Sequence, residues 1–169
     1  MERVAIWLCP AEPAASALRA TIAAIAARWS RVAYEPHVTL ASGPRRADVT
    51  DVLRVIAARH APYPMTPRAA HAGDDFKTSA ALDFTTTDAH ARLRADVRAA
   101  FGWDERPREP HMSLTYGAVS DFAPIQASAA RFTAPVVFDA LRAVLYEAPV
   151  DSQEKVAAWV LGPRVPLTA

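Results

Sequence analysis

Two stretches decide the fold: Glu35-Pro36-His37-Val38-Thr39-Leu40 and, 74 residues downstream, Glu109-Pro110-His111-Met112-Ser113-Leu114. Each reads as a short strand, over Pro36 to Ala41 and His111 to Tyr116. Residues two apart in a strand share a face. His37 and Thr39 therefore point one way and Val38 and Leu40 the other; His111 and Ser113 stand likewise against Met112 and Leu114. Each stretch offers an imidazole and a hydroxyl on one side and two apolar anchors on the other. Helices laid over the anchors leave the polar pairs facing a cleft.

Working outward, each stretch closes a similar strand–helix–strand unit. Before the first lies a strand, Arg3 to Leu8, and a helix running to about Ser30 with the stripe Leu18, Ile22, Ile25 and Trp29. Before the second lies a strand, Phe76 to Phe84, and a helix from Asp88 to Phe101. Thr86 and Thr87 are its candidate caps and Gly102 its stop. Two such units invite a pseudo-two-fold arrangement that brings equivalent positions face to face. Between them, Ser42-Gly43-Pro44 reads as a turn and Ala47 to Arg59 as a helix, and Pro62, Pro64 and Pro67 allow at most an edge strand. After them come a short helix, Asp121 to Ala130, and a closing hairpin of two strands, Pro135 to Tyr146 and Lys155 to Leu161. The class is α+β, and residues 1–169 are expected to form one domain.

The doubled pattern is not an accident of composition. Proline before and leucine after a His-x-Ser/Thr occurs by chance about 6 × 10⁻⁴ times per histidine, so two hits are expected in roughly 4 of 10⁶ such chains. Its chemistry suits cleavage of a phosphodiester. That reaction needs one group to take a proton from water and another to give one to the leaving oxygen. Imidazole does both near neutral pH. The hydroxyls of Thr39 and Ser113 can donate to the non-bridging oxygens, where charge gathers in the transition state. The scheme requires no metal and no cofactor, and the sequence carries no His-Glu-x-x-His helix or carboxylate cluster. The motif is too symmetric to separate base from acid; His111 is taken as base and His37 as acid.

Composition narrows the field further. A net charge of +1 and 22% charged residues exclude a strongly basic duplex-DNA binder, and 51% apolar residues argue against disorder. The one cysteine, Cys9, rules out an internal disulfide and sits in an apolar run as a buried inert thiol. The start MERVAIWLCP lacks a long apolar signal region, and no run of about 18 apolar residues follows, so a soluble, cytoplasmic protein without a membrane partner is expected. Trp7, on the motif side of the first strand, either stacks on a base or packs in the core. His60, His71 and His90 lack the motif and are expected on the surface or in loops; nothing singles out Ser42 or Thr115.

The tandem motif, with AIWLCP, YEPHVTLASG, FK and EPHMSLTYG, resembles the two-histidine (2H) phosphoesterase superfamily. Within it, the wording is most similar to the cyclic phosphodiesterases of plants and yeast, over nearly the whole chain to the region of Trp159. The resemblance implies a bilobal fold whose antiparallel sheets form a groove lined by both motifs, with helices outside. It implies opening of ADP-ribose 1″,2″-cyclic phosphate and of nucleoside 2′,3′-cyclic phosphates, the latter to the 2′-phosphate. Other members act on RNA ends or resemble 2′,5′ RNA ligases, so an RNA-processing enzyme is the first alternative and a non-catalytic nucleotide- or RNA-binding module the second. It also marks Tyr116 as an aromatic lining the site, although strict alternation from His111 puts it on the wrong face unless the strand end is irregular. Phe76 and Lys77 resemble the aromatic-basic pair that opens a central strand of the family. Arg106 and Arg108 stand where they reach either an anionic substrate or solvent.

Overall fold

The computed structural model describes residues 1–77, 79–103 and 108–169. The first unit is β1 (Glu2–Pro10), α1 (Ala14–Arg28) and β2 (Val38–Pro44). The second is β5 (Ala80–Phe84), α3 (Asp88–Phe101) and β6 (His111–Thr115); between the two run α2 (Val49–Ala57), β3 (Tyr63–Met65) and β4 (Pro67–Ala72). The chain ends with α4 (Ala123–Ala129), β7 (Val136–Glu147), α5 (Gln153–Ala157) and β8 (Val160–Pro166).

Both sheets are antiparallel. In one, β2, β1 and β7 lie side by side, and β3 and β8 follow one another along the far edge of β7. In the other, the order is β4, β5, β6. The proline-rich middle thus supplies two edge strands, as prolines allow.

Alternation builds the core. Val4, Ile6 and Leu8 of β1 are fully buried on one face and join Leu18, Ile22 and Ile25 of α1, while Leu82, Phe84, Met112 and Leu114 of the second sheet enter the same cluster. Phe84 meets Phe138 of β7 edge-on, 5.5 Å between ring centres. Burying a side chain of this size contributes roughly 1.5–3 kcal/mol, so Phe84→Ala strikes both sheets at once. The units interlock: α1 packs on β6, α3 packs on β2, and the two motif strands touch each other. Helix α3 keeps its expected signals, with the Thr87 hydroxyl accepting the His90 N–H at 3.2 Å and Gly102 left-handed at φ 64°.

One irregularity recurs. Opposite β2, β1 slips between Ile6 and Trp7, so Ile6 faces Ala41 and Trp7 faces Thr39. Opposite β6, β5 slips between Ala80 and Ala81, so Ala80 faces Thr115 and Ala81 faces Ser113. The extra residue is Leu40 in one unit and Leu114 in the other, both buried in the core. These are β-bulges at equivalent places, and a bulge re-aims every side chain beyond it.

Three elements differ from the sequence reading. Ser42-Gly43-Pro44 continues β2 instead of turning, because Gly43 lets the strand lie flat against Trp103; a Cβ there would run into the indole. The strand expected from Phe76 begins only at Ala80, since ahead of it the Gly73 N–H donates to the Ser79 carbonyl, 3.3 Å. The strand expected from Lys155 is preceded by α5, whose first turn is capped by the Ser152 hydroxyl accepting the Lys155 N–H.

Candidate functional site

The bulges decide what the cleft contains. Before them His37 and Thr39, like His111 and Ser113, face away from the core; beyond them the outward positions shift by one, to Ser42 and Tyr116. All six line one cleft of about 450 Å³ between the sheets. The irregular strand end that Tyr116 requires is thus present, and Ser42, which nothing in the sequence had singled out, is its counterpart 74 residues earlier.

Both imidazoles are held in the same way. His37 Nδ1 lies 2.8 Å from the carbonyl of Glu35, and His111 Nδ1 lies 3.0 Å from that of Glu109. A carbonyl only accepts, so each Nδ1 carries the proton and each neutral ring keeps its lone pair on Nε2. Proline between carbonyl and histidine narrows the backbone choices that close this small ring. The Glu35 side chain is clamped by Arg19 at 2.9 Å, and that of Glu109 accepts the Thr86 hydroxyl at 2.7 Å.

Around His37 the walls are aromatic. Trp7 lies flat on it, ring centres 3.4 Å apart and planes within 4°. Tyr34 and Trp159 present their edges at 6.0 and 6.3 Å. Burial pushes the imidazole down to about 3; the Glu35 carbonyl opposes this and His111 across the cleft reinforces it. Burial likewise pushes Tyr116 up to about 12, against a contact with Ser113. Ser113 donates to the Lys77 carbonyl, 3.2 Å, while the Lys77 side chain is exposed and lines the cleft. Cys9 is buried on the same sheet face, its thiol pushed up to about 11 by desolvation, as the inert-thiol reading expects.

The other expected residues fall as follows. Trp7 lines the cleft, but the face turned to His37 is occupied by it. Phe76 is half-buried behind Tyr116, 6.2 Å between centres, and packs there instead of lining the cleft. Arg108 reaches the cleft rim; Arg106 lies outside the described residues. His71 is exposed beside Asp83, and His60 is half-buried beside Asp96. His90 corrects its expectation: it is 2% exposed on α3, meets the Tyr63 hydroxyl at 3.1 Å, and borders the cleft. Burial, reinforced by Arg94 and opposed by Glu109, lowers it to about 4.

Trp159, Tyr146 and Val144 also line the cleft and were missed. β1–β7 pairing sets Val144 opposite Ala5 and Tyr146 opposite Arg3, a register no local pattern announces. Among the described residues, no group of three His, Cys, Asp or Glu side chains could hold a metal ion. Nor is any helix long and apolar enough to cross a membrane.

No family model and no curated protein matches the sequence. Solved structures do. Escherichia coli LigT in complex with 3′-AMP superposes over 99% of this chain and 99% of its own, with a TM-score of 0.60 at 15% identity. This is the LigT-like 2H phosphoesterase fold. A Thermus thermophilus protein matches with a TM-score of 0.59 at 16% identity, covering 98% of this chain and 97% of its own. A structure described only as a phosphoesterase covers 100% of both chains at 15% identity, TM-score 0.58. LigT itself has also been crystallised with phosphate, ATP and NADP+. The bilobal architecture expected from the tandem motif is the one found.

Proposed function

We propose that this chain, acting as a single domain, is a cyclic phosphodiesterase that opens nucleoside 2′,3′-cyclic phosphates and ADP-ribose 1″,2″-cyclic phosphate. The observation that carries the reading is the pair of imidazoles in one cleft. Each is tied through Nδ1 to a backbone carbonyl two residues earlier, and each has a hydroxyl beside it. The cleft falls in the size range of small-molecule sites. Nucleotide complexes of a LigT-fold protein favour the same substrate class.

In this scheme water approaches phosphorus opposite the 3′-oxygen. His37 Nε2 takes the water proton, the P–O3′ bond breaks, and protonated His111 hands its proton to the departing 3′-oxygen. The 2′-phosphate remains; in the ADP-ribose substrate the bond broken is P–O2″, the 2″-oxygen takes the proton, and the 1″-phosphate remains. Thr39 and Ser113 donate to the non-bridging oxygens, for which Ser113 must turn its proton away from the Lys77 carbonyl.

This reading gives the two histidines the reverse of the roles taken from the sequence. Burial favours the neutral imidazole of His37 and so disfavours it as the acid. With its proton held on Nδ1 by the Glu35 carbonyl, it keeps the Nε2 lone pair for the water proton.

Assays of nucleoside 2′,3′-cyclic monophosphates, ADP-ribose 1″,2″-cyclic phosphate and a cyclic-ended oligonucleotide, each with EDTA, test the reading. Turnover of the small substrates to 2′- or 1″-phosphates, unaffected by EDTA, is expected. Cleavage of the oligonucleotide alone would favour RNA processing, and binding without turnover a nucleotide-binding module.

A further inference from the structure

The two units are matched residue for residue along their motif strands, yet one position is filled very differently. Trp7 faces Thr39 across the β1–β2 pair, and Ala81 faces Ser113 across the β5–β6 pair, so Trp7 and Ala81 are counterparts 74 residues apart. An indole lies at 3.4 Å on His37, whereas its counterpart in the second unit is an alanine, and the residue paired with His111 is Asp83, 3.0 Å from His71. His37 is 3% exposed; His111 is half-exposed.

We infer that Trp7 is a positioning residue: its ring, flat on His37, holds that imidazole as the proton acceptor, and the lack of such a ring at Ala81 leaves His111 as the donor. This rests on the proposed reaction and goes beyond it by naming what breaks the symmetry. It also reassigns Trp7, since a ring committed to His37 on one face is not a platform for a nucleobase there.

Stacking has two opposed effects. A flat aromatic face attracts an imidazolium, but it also excludes the water that would solvate the charge. Burial wins, since the imidazole sits at about 3 against an ordinary 6.5. The other groups facing His37 do not reverse this. His111 across the cleft disfavours a second positive charge. Arg142, opposite Trp7 on β7, brings one more cation to this face of the sheet. Tyr34 and Tyr116 are both held protonated by burial and bring no negative charge. The carboxylate of Glu35 is engaged by Arg19.

The test is titration of the histidine ring nitrogens by ¹H–¹⁵N NMR in the full chain, with His37 assigned from His37→Asn, in wild type, Trp7→Ala and Trp7→Phe. Expected is a His37 that stays neutral with the proton on Nδ1 from pH 8 to about 5. In Trp7→Ala its midpoint rises by one unit or more, and Trp7→Phe stays near wild type. The acidic limb of kcat/KM on a cyclic nucleotide moves with it. A wild-type His37 protonated at pH 7, or one titrating identically without the indole, overturns the inference. So does a Trp7→Ala variant whose only change is a higher KM with the same pH profile, the mark of a stacking platform. Should Trp7→Ala not fold, Trp7→Leu gives the same reading with a smaller rise, and the wild-type titration stands alone as a refutation. A wild type that turns over no cyclic phosphate while His37 titrates as expected refutes the proposed reaction and leaves the Trp7–His37 relation intact.

Discussion

At the first half of the cleft the imidazole is buried and the hydroxyl exposed: His37 is 3% accessible and Thr39 open to solvent. At the second half the pattern inverts, with His111 half-exposed and Ser113 at 7%. Matching places of the two halves carry different residues. The first half carries Trp7 over its histidine and Ser42 beyond its threonine; the second carries Ala81 and Tyr116 at the matching places. Trp7 thus lies on the imidazole of the first half, with Tyr34 and Trp159 edge-on to it, and Tyr116 stands beside the hydroxyl of the second. Duplicating a motif supplies two identical groups, but the hydrolysis proposed above needs one to be neutral and the other charged. Neighbours outside the motif provide that difference.

The largest expected effect breaks the comparison at its centre. His37→Ala and His111→Ala should each lower turnover by about 10²–10⁴-fold with the fold intact, as loss of a general acid or base does. Their pH profiles should differ. The basic limb of kcat/KM belongs to the donor and should vanish only in His111→Ala, measured from pH 5 to 9 on a cyclic nucleotide. A basic limb lost with His37 instead reverses the assignment, and wild-type rates in either variant end the two-histidine mechanism.

The hydroxyls sharpen the contrast at a smaller scale. Thr39→Ala and Ser113→Ala should each cost roughly 10–10³-fold, mainly in kcat, because each removes a donor to developing charge. Stability should part them. Ser113→Ala deprives the Lys77 carbonyl of its partner and should cost about 1 kcal/mol. Thr39→Ala, exposed, should stay within about 0.5 kcal/mol of wild type. Urea denaturation of both variants is the check; equal losses would mean the burial inversion has no energetic content.

The last effect is read in stability alone, an acid sensitivity centred on one half. A histidine at about 3 in the folded chain and about 6.5 in the unfolded one binds its proton only in the unfolded state between those values. Stability is therefore full above pH 6.5 and falls as pH drops toward 3, by up to about 1.4 kcal/mol per unit for each such group. His90, lowered to about 4, acts in the same direction over a narrower window. His37→Asn should flatten the dependence of stability on pH between 6.5 and 4, read as midpoints of thermal unfolding. An unchanged slope would show that His37 is not held neutral.

The alternation that presents His37 with Thr39 and His111 with Ser113, the helix stripe of Leu18, Ile22 and Ile25, and the start and stop of α3 at Thr87 and Gly102 were all legible in the sequence. They depend on backbone geometry over a few residues, and their repetition announced two similar halves. What the tertiary structure decided lies between segments. The bulges at Leu40 and Leu114 turn Ser42 and Tyr116 into the cleft, and Trp103 lying on Gly43 converts an expected turn into strand. Pairing of β7 with β1 brings Val144 and Tyr146 to the cleft, and the packing of α3 buries His90, a residue that looked like surface. The difference in burial between two equal histidines belongs to this second group. Burial is a property of everything that surrounds a side chain, and a motif of six residues contains none of those surroundings.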